Sequence, residues 1–137
     1  MTKQVSSIES SYQKTLDLFH AIERKTGWKE NHEVTYKALR AVLHALRDRM
    51  IPDEAVQFGS QLPLIVRGMY YEGWKPSKTP QKMSKDEFIQ RIQGETYIAQ
   101  PNPEEMVKHI LEGIDEFMAP GTVEKIKNTL PKDFWVL

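Results

Sequence analysis

Apolar residues recur every three or four positions along almost the whole chain, and the strict alternation that marks a half-buried strand appears nowhere. The pattern predicts an all-α protein. Ser6 and Glu9 stand at capping-box spacing, and Ile8, Tyr12, Leu16, Phe19 and Ile22 then follow at helical intervals until Gly27, a residue suited to ending a helix. A second helix over about 31–50 carries Leu39, Val42, Leu43, Leu46 and Met50 on one stripe. Pro52 opens a short third helix with Ala55, Phe58 and Leu62 inward, because a proline in the first turn lacks only an N–H that would go unpaired there. Pro63 restarts the chain into a fourth helix, ending near Gly73, with Leu62, Ile65 and Met69 expected on its inner side.

Residues 74–83 read as a connector, after which the pattern begins again. Ser84 and Glu87 repeat the capping-box spacing, and Asn102-Pro103 opens another long helix. At a shift of 68 positions, Leu39, Val42, Leu43, Leu46 and Met50 fall on Val107, Ile110, Leu111, Ile114 and Met118, and Leu62-Pro63 falls on Leu130-Pro131. Each copy is a helix, a longer helix and a short helix ending at Leu-Pro, and its apolar stripes cannot all be buried alone. The expected architecture is a single helical bundle over 1–137 made of two tandem pseudo-repeats, about 6–73 and 84–137, joined by a crossover. Its copies are expected to face each other through pairs such as Leu43 with Leu111 and Leu46 with Ile114. The same register places Phe134 on Val66 and Leu137 on Met69, so the apolar tail should dock as a shortened fourth helix and close the bundle.

Composition narrows the function more by exclusion than by assignment. There are no cysteines, which excludes disulfides, thiolate zinc sites and a cysteine nucleophile and fits a reducing interior. No signal-peptide pattern or membrane-spanning apolar run is present, so a cytoplasmic protein without membrane partners is expected. Nineteen basic residues balance nineteen acidic ones, which disfavours nucleic acid as a partner. Charge is nonetheless grouped: Lys75, Lys78, Lys82 and Lys85 stand without an acid among them, and Glu104, Glu105, Glu112, Asp115 and Glu116 cluster on the later helix. These are read as two solvated surfaces, the sharper alternative being a basic strap lying across an acidic helix.

No phosphate cradle, nucleophile elbow or helix-borne zinc pair occurs, so no catalytic residue, metal ligand or cofactor is assigned. Glu105, His109 and Glu112 share one helix face, but it lies opposite the apolar stripe and reads as a solvated face rather than a metal site. His44 with Asp48 reads as an exposed ion pair, and His20 and His32 have no identifiable partner. The candidate binding residues are Arg67, Tyr70, Tyr71, Glu72 and Trp74, in the stretch "LPLIVRGMYYEGWKP". Tyrosine and tryptophan there serve as a strap over the apolar ends of two half-bundles, the alternative being a surface for a ligand or partner.

That run, with "DEFIQRI" at 86–92, the "PEE…ILEGI" helix and the closing "APGTVEKIKNTLPKDF", resembles the bacterial and archaeal family known as domain of unknown function 2267. The resemblance implies an all-helical fold with two related halves and carries no activity with it. The expected function is therefore a small helical binding or interaction module, non-enzymatic, meeting a protein partner or a second copy near the crossover. The alternatives are a small-ligand carrier or enzyme with a pocket between the halves, and a nucleic-acid binder using Arg40, Arg47, Arg49 and Arg67 with the lysine strap.

Overall fold

The computed structural model describes residues 5–29, 31–96 and 102–137, and among them all regular structure is helical. The order is α1 (Ser6–Thr26), α2 (His32–Arg49), α3 (Pro52–Gly59) and α4 (Leu64–Tyr71), then α5 (Lys85–Thr96), α6 (Pro103–Phe117) and α7 (Thr122–Lys127). Short 3₁₀ turns at Pro76–Lys78 and Lys132–Val136 follow α4 and α7. No helix among the described residues is long and apolar enough to cross a membrane.

Local chemistry sets several helix ends. Gly27 takes the left-handed conformation, φ 82°, and its N–H bonds the Glu23 carbonyl to close α1. At α5 the capping box is reciprocal: the Glu87 N–H donates to Ser84 Oγ and the Ser84 N–H donates to Glu87 Oε1, both at 3.2 Å. Asn102 Oδ1 accepts from the Glu105 N–H at 3.1 Å to start α6. The equivalent spacing at Ser6 makes no such cap, since α1 already begins at Ser6 with Val5 before it.

Early and late helices interlock. α1 packs chiefly along α6 and α2 along α5, so each of these pairs joins helices far apart in the chain. Positions that correspond at the 68-residue shift share the core: Leu39 and Val107, Leu43 and Leu111, Met50 and Met118, Phe58 and Ile126, Leu62 and Leu130 are all buried. α1 and α6 approach so closely that a Cβ on Gly113 would lie 2.7 Å from the Ile22 Cα. The tail docks on the same chain, burying Phe134 edge-on against Phe88 at 5.3 Å and burying Leu137, while Trp135 and Val136 stay exposed.

Two expected faces turn out differently. Ile8 and Tyr12 are 54% and 59% exposed, because the buried Ser11 and Thr15 take the inward positions at that end of α1 and Ser11 Oγ accepts the Ile65 N–H at 2.9 Å. Ile65 is itself exposed, and the inner face of α4 is Val66, Met69 and Tyr70. Of the lysine strap, Lys85 reaches the acidic helix and pairs with Glu104. Lys75 and Lys78 turn instead toward α2 and α5.

Candidate functional site

The crossover divides into groups that hold the fold and groups that face a cleft. Arg67 folds back onto the end of α3, donating to the carbonyls of Gly59 (3.2 Å), Ser60 (3.1 Å) and Leu62 (3.0 Å). It serves there as a C-terminal cap rather than as a surface cation. Tyr70 is fully buried, donates its hydroxyl to the Ala55 carbonyl at 2.7 Å, and lies against Phe58 and Tyr71. Burial pushes its phenol pKa far up, so it stays protonated. Tyr71 and Trp74 are half-buried, with ring centroids 5.3 Å apart, and form a ledge beside it. Glu72 is exposed and pairs with Arg40 at 2.6 Å, whose hydrogen bond and charge hold its carboxyl below the ordinary value. Thus Arg67 and Tyr70 strap the structure, and Glu72 with the Tyr71–Trp74 ledge borders open space.

Beneath the crossover lies a buried polar floor supplied by α2. The carbonyls at the end of α4 need donors, and α2 provides them: His44 Nε2 bonds the Met69 carbonyl at 2.7 Å, and Arg47 Nη1 donates to the carbonyls of Tyr70 and Glu72, each at 2.8 Å. Because a carbonyl only accepts, His44 must carry its proton on Nε2, which leaves Nδ1 as an acceptor. Burial lowers its pKa and keeps it neutral.

Arg47 also pairs in bidentate fashion with Asp48, at 2.8 and 3.2 Å, and Asp48 pairs again with Arg91 of α5. Burial works against the Asp48 charge, but the hydrogen bonds and charges of Arg47 and Arg91 outweigh it and hold the carboxyl below its ordinary value. Arg91 reaches further to Gln81 Oε1 at 3.0 Å, and the Gln81 N–H donates to the Asp48 carbonyl at 2.6 Å, which ties the connector down.

His44 and Asp48 are therefore not an exposed pair. Both are buried and neither bonds the other, because α4 and α5 wrap the face of α2 opposite its apolar stripe. The sequence signal was present in another form: Arg40, His44 and Arg47 recur at helical spacing and make a polar stripe.

Above this floor is a cavity of about 490 Å³, bordered by α2, the crossover, the connector and α5. Five cations line it (Arg40, Arg47, Lys75, Lys78 and Arg91) against three acids (Asp48, Glu72 and Glu95), with His44 between. Lys75 and Lys78 make no ion pair with any described residue, so the rim carries uncommitted positive charge.

A second polar group lies at the α1–α2 turn, where His20, Glu23 and His32 converge; His20 and His32 are half-buried and Glu23 is buried. His32 Nδ1 is 2.8 Å from Glu23 Oε2, which also accepts from Thr35 Oγ at 2.6 Å. The turn at Gly27 brings His32 back over α1, which spacing along the chain does not disclose. On α6, His109 approaches Glu105 at 3.3 Å and Glu112 at 3.8 Å on a partly exposed face. Of the arginines that would serve a nucleic-acid surface, Arg47 is buried, Arg67 caps α3, Arg40 holds Glu72, and Arg49 donates to the Met83 carbonyl while lying 5.8 Å over Phe134.

The family model described as an uncharacterized conserved protein, DUF2267, matches residues 16–137. No curated protein matches the chain.

Proposed function

The chain belongs to the DUF2267 family, and since that membership brings no activity with it, we propose from the cleft itself that this is a non-catalytic binding module for a small anionic ligand. The reading rests on one observation, the cavity of about 490 Å³ whose five cations outnumber its three acids and whose rim lysines are uncommitted. A site between the halves takes the place of the outward aromatic surface, because Tyr70 and Arg67 are occupied within the fold. Preorganisation supports it: Arg47 and Asp48 are fixed by one another, by the end of α4 and by Arg91 of α5, so little ordering is needed when a ligand arrives. Carboxylate or phosphate groups suit the guanidinium and ammonium donors, and His44 Nδ1 accepts from a ligand hydroxyl or N–H. Lack of cysteine accords with a cytoplasmic setting.

The test is a titration of the ¹⁵N-labelled chain with citrate and with inorganic phosphate, glucose serving as the neutral control. Saturable shifts confined to the amides of Gly73, Lys75, Lys78 and Arg91, lost in a Lys75→Glu, Lys78→Glu variant, would support the cleft. Shifts spread over all surface lysines, or none at tens of millimolar anion, would dismiss it.

A second reading has its own observation. Val5 just before α1 and Ile8 and Tyr12 on it are exposed apolar residues at helical spacing, and exposed apolar groups of this kind mark protein contacts. Sedimentation of the wild type against Ile8→Glu over a wide concentration range decides whether these residues support self-association.

A further inference from the structure

From the convergence of His20, Glu23 and His32 we infer that the α1–α2 turn is a binding site for a divalent transition-metal ion, zinc by its donor set. His20 and Glu23 are three residues apart on α1 and so share a face, and His32 stands in the first turn of α2. One ligand atom from each, an imidazole nitrogen twice and a carboxylate oxygen once, lie within 4.8 Å of one another. Donors around tetrahedral zinc, with bonds of about 2.0–2.2 Å, stand about 3.4 Å apart, so a small rotation of the half-buried His20 ring closes the set.

A second observation points the same way. Glu23 Oε1 is buried with no hydrogen-bond partner, although the residue is 95% buried and its other oxygen accepts two donors. A buried carboxylate oxygen left unpaired is costly, and a cation is the partner that repays it. Thr35 Oγ, 2.6 Å from Oε2, fixes the carboxylate, and Phe19 packs 5.9 Å from the His32 ring, so the ligands already have the supporting contacts that metal sites use. Two imidazoles with one carboxylate suit zinc and its borderline neighbours. Magnesium and calcium want a shell of oxygens and are disfavoured. Three protein ligands leave the fourth position to water, on the side where His32 is exposed. Each imidazole ligates through its unprotonated nitrogen, and the ion then joins α1 to α2 across the turn.

Zinc chloride alone is the probe. Calorimetry on the metal-free full chain should give one equivalent bound, with a raised melting temperature. His20→Gln and His32→Gln should each weaken zinc binding at least about tenfold, and His109→Gln should not change it. Because His32 contacts Glu23 and its replacement affects folding, the ring signals of the wild type are followed by NMR as well; zinc should move those of His20 and His32 and leave that of His109 in place. Absence of saturable binding at 1 mM zinc, unchanged affinity in both variants, or movement of the His109 ring in place of the other two would overturn the site.

Discussion

Arg47 and Asp48 are consecutive on one helix, yet their side chains meet in a bidentate pair, both of them buried, at 2.8 and 3.2 Å. Neighbours on a helix point about 100° apart, so the meeting requires the long arginine to bend back over its own backbone. The bend aims Nη1 at the carbonyls of Tyr70 and Glu72, so one residue closes α4 and neutralises Asp48 together.

We expect Asp48→Ala to be severe. It leaves Arg47 buried without its carboxylate and removes the link to Arg91, and breaking one partner of a buried pair costs about 3–5 kcal/mol. Urea denaturation measures it, with Arg47→Met, Asp48→Leu as the comparison, since removing both charges avoids an orphaned one. A loss under about 1 kcal/mol for Asp48→Ala would mean that water reaches the pair freely.

Acid should destabilise the protein through His44 before it does so through Asp48. Burial lowers the folded His44 pKa below its ordinary 6.5, so between those two values the unfolded chain binds more protons than the folded one. The contribution is fully present above the ordinary value and is lost as pH falls toward the folded one. Asp48, also lowered, acts in a separate and more acid window, its contribution disappearing only as pH falls below the ordinary carboxylate range. Stability measured from pH 7 to pH 5 should therefore fall more steeply in the wild type than in His44→Gln. Parallel curves would place the pH response elsewhere.

The same substitution should have opposite signs at two glycines. In Gly113→Ala the new Cβ meets the Ile22 backbone at 2.7 Å, and forcing α1 from α6 costs about 1–3 kcal/mol. Gly94→Ala on α5 meets nothing within 4 Å and should gain about 0.5–1 kcal/mol from helix propensity. Thermal melts of the two variants check the pair, and equal effects would contradict the close approach of α1 and α6.

Much of the fold was legible because its causes are local. The stripe from Leu39 to Met50, the stop at Gly27, the box at Ser84 and Glu87 and the cap at Asn102 depend on residues within a turn or two of each other. What sequence concealed was enclosure. α2 buries nearly every position from Ala38 to Asp48, and no spacing along α2 records that α4 and α5 close over its polar side. Hence His44 and Asp48 read as an exposed pair when they lie buried in the floor of a cleft. For Tyr70 the strap and the surface readings both stood, because sequence does not show that its hydroxyl has a buried carbonyl to meet. His20, Glu23 and His32 were hidden for a third reason, since a loop and not a period brings them together.

The interlocking of helices has a consequence for biosynthesis. Arg24 and Glu116 meet across 92 positions, and near them Ile22 is covered by Gly113. A ribosome adding roughly 5–20 residues per second needs about 5 to 18 seconds to make that interval. During it α1 displays Leu18, Phe19 and Ile22 to whatever surrounds the nascent chain, before α6 exists to hide them. Slow codons placed between the halves would lengthen this exposure, and chaperones that recognise apolar helix faces would find their target in α1.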